Sequence, residues 1–295
     1  MDFLQSLAQR PLVLDGAMGS ELMRRGCGVG QCPDEWSVSH PDVVAAIHAE
    51  YYAAGSDIVQ TNTFGATRVK LAAHGLHDRT AEINLAAAKL LVEVRNLKAP
   101  DRLVAGDVSS TGKFLKPMGE LEPDELRDVF AEQVATLVEG GVDLISIETM
   151  FDLAEARLAV EGARTVTDLP VMASLTYKQT PKGYRTIMGV TPKQAVETLL
   201  AAGAEVVGCN CSIEAEEMIG LVGELRAAGE MPIVAQPNAG QPRLVDGETV
   251  YEETVEHFAA TVPELIRQGA NVVGGCCGTT PAYIAALVAA LRASG

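Results

Sequence analysis

Two adjacent cysteines, Cys276 and Cys277, lie in the segment NVVGGCCGTTP near the end of a 295-residue chain, and a third, Cys211, closes the segment VVGCNC. Thiolates are soft donors that select zinc over the hard, oxygen-seeking ions. Structural zinc sites are usually closed by four protein ligands, whereas catalytic ones keep three and leave the last position to water or substrate. Cys211, Cys276 and Cys277 together therefore describe an open zinc site. The possible fourth ligand, Cys209, lies two residues before Cys211. In a regular strand it faces the same way about 6 to 7 Å deeper, which suits a core residue better than a ligand. Cys27 and Cys32 read as a pair of free thiols; six cysteines in a chain of this size, read as cytoplasmic, do not suggest a disulfide framework.

For the three thiols to meet, the elements that carry them must converge. Eight short apolar segments recur, at 11–15, 57–63, 102–108, 143–149, 170–176, 206–211, 232–238 and 271–277. Near-continuous apolar runs of this kind mark parallel strands buried on both faces. Ala-rich amphipathic stretches separate them, among them 41–55, 123–141, 152–165 and 281–294, several opening on Pro or closing on Gly as helix ends prefer. Eight such alternations predict an α/β protein, a (β/α)8 TIM barrel forming a single domain over residues 1–295. A doubly wound open sheet is the rival, but no GxGxxG follows the first strand.

Barrel sites lie at the carboxyl ends of the strands. Those ends carry Asp15, Asn62 and Thr63, Asp107, Glu148, Asn210 with Cys211, Asn238, and the Cys276–Cys277 pair. Cys211 ends the sixth strand and the pair ends the eighth, so one strand separates them around the ring. Adjacent strand residues face opposite ways, so both members of the pair reach one ion only if the chain turns there. Gly274, Gly275 and Gly278 permit such a turn. Asn238, ending the intervening strand, is expected to face the metal and offer a weak amide oxygen before substrate arrives.

The balance of 23 Lys and Arg against 39 Asp and Glu, a formal charge of -16, opposes nucleic-acid binding. No apolar run reaches the roughly 18 residues of a membrane helix and the N-terminus lacks a secretory pattern. A cytoplasmic enzyme without membrane or nucleic-acid partners is the expectation, its oligomeric state open.

The segments LDGAMGSEL, DIVQTNTFGATR, GDVSSTGKFL, IET, GCNCS, QPNAG and GGCCGTTP occur in this order. Together they resemble the zinc-dependent homocysteine S-methyltransferase family, over about residues 10–292, most nearly the homocysteine-binding module of its cobalamin-dependent branch. The resemblance implies methyl transfer to the sulfur of homocysteine, giving methionine, with Cys211, Cys276 and Cys277 on zinc and the substrate sulfur as fourth ligand. It further implies that Asp15 and Glu148 hold the substrate ammonium. Backbone N–H groups from Gly16 to Gly19 suit its carboxylate, and Asn62 and Thr63 complete the pocket.

NTFGATR looks more like the corrinoid-linked branch than the S-methylmethionine branch, and the extra segments of betaine-type relatives are not found. The chain stops soon after the eighth helix, so a methylated corrinoid (methylcobalamin) carried by a separate protein is the expected donor. A small donor such as S-methylmethionine or betaine, or another thiol acceptor, is the alternative. Two other classes remain: a Schiff-base lyase using Lys178, just past the fifth strand, and a non-catalytic zinc protein.

Overall fold

The computed structural model describes residues 2–245 and 248–294. All eight apolar segments form strands of one parallel sheet: β1 (Leu12–Val13), β2 (Ile58–Gln60), β3 (Leu103–Ser109), β4 (Leu144–Met150), β5 (Val171–Leu175), β6 (Val206–Glu214), β7 (Ile233–Asn238) and β8 (Val272–Val273). Their order is β1-β8-β7-β6-β5-β4-β3-β2. A parallel bridge from Leu14 to Ile58 and a bond from the Asp57 N–H to the Val13 carbonyl (2.7 Å) join β1 to β2 and close the ring.

Alternation along each strand sorts the apolar side chains into two layers. Leu12, Leu14, Ile58, Leu103, Ala105, Leu144, Met172, Val206, Val234 and Val272 fill the barrel, plugged from below by Phe3 and Leu7 of a short N-terminal helix. A larger set faces the helices outside. At the lower rim the buried carboxylate of Asp57 accepts two bonds from Arg10 (2.7 and 2.8 Å), one from Arg102 and one from the Val13 N–H (3.0 Å), tying the feet of β1, β2 and β3 together.

One long helix follows each strand: α1 (Pro41–Ala54), α2 (Thr80–Lys98), α3 (Pro123–Glu139), α4 (Leu153–Arg164), α5 (Pro192–Ala202), α6 (Ala215–Ala228), α7 (Val255–Arg267) and α8 (Pro281–Ser294). Their ends follow local chemistry. In α5, Thr191 caps the Gln194 N–H while the Gln194 side chain returns to Thr191, Pro192 opens the first turn, and Gly203 ends the helix at φ 110°. Two antiparallel hairpins were not expected: Lys178–Thr180 with Gly183–Arg185 after β5, and Pro242–Val245 with Glu248–Tyr251 after β7. Both belong to the βα connections at the upper, carboxyl end of the barrel, where loops are free to elaborate a site.

Candidate active site at the carboxyl end of the barrel

The Sγ atoms of Cys211, Cys276 and Cys277 lie within 4.8 Å of one another, with Cys211 and Cys277 3.8 Å apart. Tetrahedral zinc with Zn–S bonds of about 2.3 Å requires sulfurs about 3.8 Å apart, so the donor set fits that ion. Among the described residues this is the one group of three or more Cys, His, Asp or Glu with metal-site spacing.

Backbone turns bring the thiols there. The chain leaves regular strand at Cys211 (φ 58°) and Ser212 (φ 65°), a left-handed region that non-glycine residues seldom adopt. This corrects the expectation that Cys209 and Cys211 share a face. Cys209 packs in the layer between sheet and helices, its thiol pKa pushed up by burial. The left-handed turn swings Cys211 back over the mouth. On the other side, a Cβ at Gly275 would come within 2.3 Å of Thr279 Oγ1, and one at Gly278 (φ 82°) within 2.3 Å of the Tyr251 ring. The turn holding the cysteine pair is thus packed too closely on both flanks for any side chain but hydrogen.

Three thiols this close share protons. Cys277 is pushed down to about 3 by hydrogen bonds from Cys211 and Cys276, while Cys276 is held well above the ordinary thiol range by those same two neighbours and by burial. All three can be thiolates at neutral pH only if a cation compensates them.

Asn210, facing into the barrel, braces the centre. Its Nδ2 donates to Thr149 Oγ1 (2.7 Å), Glu148 Oε2 (3.3 Å) and Cys276 Sγ (3.7 Å), and its Oδ1 accepts from the Thr149 N–H and Ser174 Oγ (both 2.8 Å). Thr149 is β-branched at φ 57°, a conformation costing on the order of 1–3 kcal/mol, and Asn210 holds it there, fixing where Glu148 points.

Beside the cysteines opens a cavity of about 550 Å3 whose wall includes Asp15, Gly16, Asn62, Asp107, Glu148, Cys276 and Cys277. Asp15 accepts the Gln60 N–H at Oδ2 (2.9 Å), while its Oδ1 and that of Asp107 are buried without a hydrogen-bond partner among the described residues. Burial drives all three carboxyls upward. Asp15 and Asp107 stand well above the usual range, and Glu148 rises to about 7 through desolvation and the nearby Cys211, opposed by hydrogen bonds from Gln60 and Gln236.

Other sequence candidates fall elsewhere. Thr63 is fully buried, donates to the Asp107 carbonyl (2.7 Å), bonds Thr61 (2.6 Å) and does not reach the cavity wall. Asn62 reaches the wall, but its amide nitrogen is spent on the Pro33 carbonyl (2.8 Å) and Ser37 (3.2 Å). In the glycine turn the Ala17 N–H is already taken by the Thr279 carbonyl and hydroxyl (3.1 and 3.3 Å). Asn238 is buried at the end of β7, its Oδ1 without a donor among the described residues. Cys27 and Cys32 are buried and free.

Lys178 stands exposed on the hairpin after β5 and is not on the cavity wall, where a Schiff-base lysine would have to be. Strand-end reading placed Asp107 and Asn210 at the mouth but gave them no role, and it left out Tyr251. The first two occupy inward positions of β3 and β6, a signal available from alternation. Tyr251 belongs to the second hairpin, and its phenol, raised by burial and by the charge of Cys277, covers the cysteine turn; nothing in its local sequence marks it.

A (β/α)8 barrel whose mouth gathers three thiols that could hold a metal ion, beside an acid-lined cavity, is the architecture that the comparisons must match. The profile of the homocysteine S-methyltransferase family matches residues 12–291, and the chain belongs to that family, which places it among the methyltransferases. It is 32% identical to the methionine synthase of Mycobacterium tuberculosis and 31% to that of Mycobacterium leprae, in each case over 98% of this chain and 25% of the relative. The chain thus spans about a quarter of the length of these relatives. Among solved structures, the metallated form of the homocysteine methyltransferase MmuM from Escherichia coli superposes with a TM-score of 0.80 at 26% identity, covering 97% of this chain and 99% of that one.

Proposed function

We propose that the chain transfers a methyl group to the sulfur of homocysteine, giving methionine, with zinc held by Cys211, Cys276 and Cys277. The observation that carries this reading is the 3.8 Å sulfur spacing beside a cavity whose buried acids have unpartnered oxygens. Zinc held by these cysteines would lower the pKa of a substrate thiol, ordinarily near 8.5, so that its proton passes to solvent; the sulfur could then displace the donor from the methyl carbon, the donor leaving with the bonding pair, without a general base at that step. The chain's own groups do the positioning. Asp15 and Glu148 receive the substrate ammonium, and their raised pKa values mean that the ammonium, once bound, stabilises the ionised forms. Asn210 keeps Glu148 and Cys276 in register. Asn238 Oδ1, buried and without a donor among the described residues, would be the neutral oxygen ligand of such a zinc before substrate binds. X-ray absorption on the zinc-loaded protein is expected to show three sulfurs and one oxygen, then four sulfurs after homocysteine is added. The oxygen signal should weaken in Asn238→Ala if the amide supplies it and persist if water does; four sulfurs before substrate would reject the open site.

The methyl donor we assign is a corrinoid carried on a separate protein or domain. Most of the exposed large apolar side chains lie on the upper βα connections: Met23, Val29, Phe64, Phe114, Met118, Ile187, Met188, Leu244 and Val250. An apolar rim of this extent around a cavity suits a protein surface better than a small free donor. The chain's similarity to methionine synthases supports the same choice. A donor screen with homocysteine and zinc-loaded protein, comparing methylcobalamin, a methylated corrinoid protein, S-methylmethionine and betaine, tests it. Turnover is expected with the corrinoid donors, and Ile187→Lys together with Met118→Lys should slow transfer from the protein-borne corrinoid at least tenfold while sparing free methylcobalamin. Turnover with S-methylmethionine or betaine alone would overturn the donor assignment.

A further inference from the structure

A second cavity, of about 580 Å3, lies at the opposite, amino end of the barrel, between α7, α8 and the feet of β1 and β3. Three arginines on its wall come from separate parts of the chain: Arg10 precedes β1, Arg102 precedes β3, and Arg292 stands in the last turn of α8. A fourth, Arg267, is spent on Glu264 (2.5 and 2.8 Å). Among the described residues the wall holds one acid, Asp57. That carboxylate is buried and saturated, its two oxygens accepting from Arg10, Arg102 and the Val13 N–H. One carboxylate against three guanidiniums leaves two positive charges unanswered, on a protein whose formal net charge is -16. The Arg292 guanidinium makes no hydrogen bond or ion pair with another described residue. Burial and the nearby charges of Arg10 and Arg292 lower the pKa of Arg102, as expected of cations crowded together without enough anions.

Much of the remaining wall is apolar, with Pro263 and Ile266 from α7 and Val288 and Leu291 from α8. On α8 the spacing of Val288, Leu291 and Arg292 puts apolar and cationic groups on one helix face, so a single ligand can meet both. The volume is that of a small-molecule site. Guanidinium groups grip phosphate and carboxylate oxygens in pairs. A phosphate monoester carries close to two negative charges at neutral pH, which matches the surplus, whereas one carboxylate would leave a guanidinium unanswered. Inorganic phosphate would satisfy the charge but leave the apolar wall in water. We infer that this cavity binds a phosphate monoester with an apolar body, its phosphate on Arg102 and Arg292 and its body against Ile266, Val288 and Leu291. The site is separate from the cysteine centre, which lies at the carboxyl ends of β6 and β8 on the other side of the filled barrel.

Calorimetry in phosphate-free buffer tests this with phenyl phosphate as the probe and with inorganic phosphate and benzoate for comparison, on zinc-loaded protein with and without homocysteine. Phenyl phosphate should bind at one saturable site whether or not homocysteine is present, and the two comparison anions should bind at least roughly tenfold more weakly, each lacking one half of the recognition. Arg292 is exposed and unpaired among the described residues, so Arg292→Gln should fold normally. It should lose about tenfold in phenyl phosphate affinity, the low end for a hydrogen bond to a charged group. Leu291→Ser should weaken phenyl phosphate and leave inorganic phosphate unchanged, and both variants should keep their zinc. Absence of phenyl phosphate binding, its displacement by homocysteine, or undiminished affinity in Arg292→Gln would overturn the site. Inorganic phosphate binding as tightly as phenyl phosphate would reduce it to a patch of positive charge and overturn the assigned ligand class.

Discussion

Alanine at Cys211, Cys276 or Cys277 is expected to abolish tight zinc binding, and alanine at Cys209 to leave it intact. Losing a hydrogen bond that merely supports a ligand typically costs about 10- to 100-fold in metal affinity, and losing one of three thiolates from an already open site costs more. The structure also predicts an intermediate case. Asn210 reaches Cys276 Sγ at 3.7 Å without belonging to the donor set, so Asn210→Ala should fall in that 10- to 100-fold range. Cys209 packs on the far side of the sheet among the residues facing the helices, so its removal should appear in thermal stability and not in metal content. Metal analysis of the purified variants, with competitive chelator titration for Asn210→Ala, checks the series. Zinc lost from Cys209→Ala as completely as from the other three would turn the site into a closed structural one and remove the proposed chemistry.

Glu148→Gln should weaken homocysteine binding by about 30-fold or more, the range of about 2–5 kcal/mol for removing one member of a buried charged contact, with zinc content unchanged. The same variant carries an opposite effect on stability. The carboxyl of Glu148 rises from an ordinary 4.5 to about 7, so between those values the folded, metal-free protein holds a proton that the unfolded chain has released. Stability from this group is therefore complete below about pH 4.5 and is lost as pH rises through 7. Glutamine does not titrate. Metal-free Glu148→Gln should then gain on wild type as pH rises, by an amount on the order of 3 kcal/mol above pH 7, and match it near pH 4.5. Denaturant unfolding at the two pH values reads the difference. Unaltered homocysteine affinity would remove Glu148 from the site, and a pH-independent stability difference would mean that its carboxyl is not held neutral by burial. The pairing of weaker binding with greater stability is what a preorganised acid, kept in a poor environment until its cation arrives, should produce.

Much of this was legible in the linear order of residues. Runs such as DLISIET and PIVAQPN announce strands buried on both faces, because a parallel strand between a filled barrel and a shell of helices has no polar side. Eight such runs, each followed by a helix and several of these with Pro or Gly at their ends, lead to the closed ring of β1 to β8, and the residues at their carboxyl ends are the ones that a barrel must gather. Asp15, Glu148, Cys276 and Cys277 could be placed at one mouth for that reason alone. What alternation cannot foresee is where the backbone stops obeying it. A strand continued through Cys211 would send its thiol outward beside Cys209; the left-handed pair Cys211 and Ser212 reverses it, and only packing across the whole mouth holds residues in that unfavourable region. The positions of Thr149, held by Asn210 from two strands away, and of Tyr251, delivered by a hairpin onto the cysteine turn, depend likewise on contacts between segments remote in sequence. Local order determined the kinds of groups and the element each one ends. The closing of the barrel, which brings both sides of the ring around one cavity, decided which of them meet.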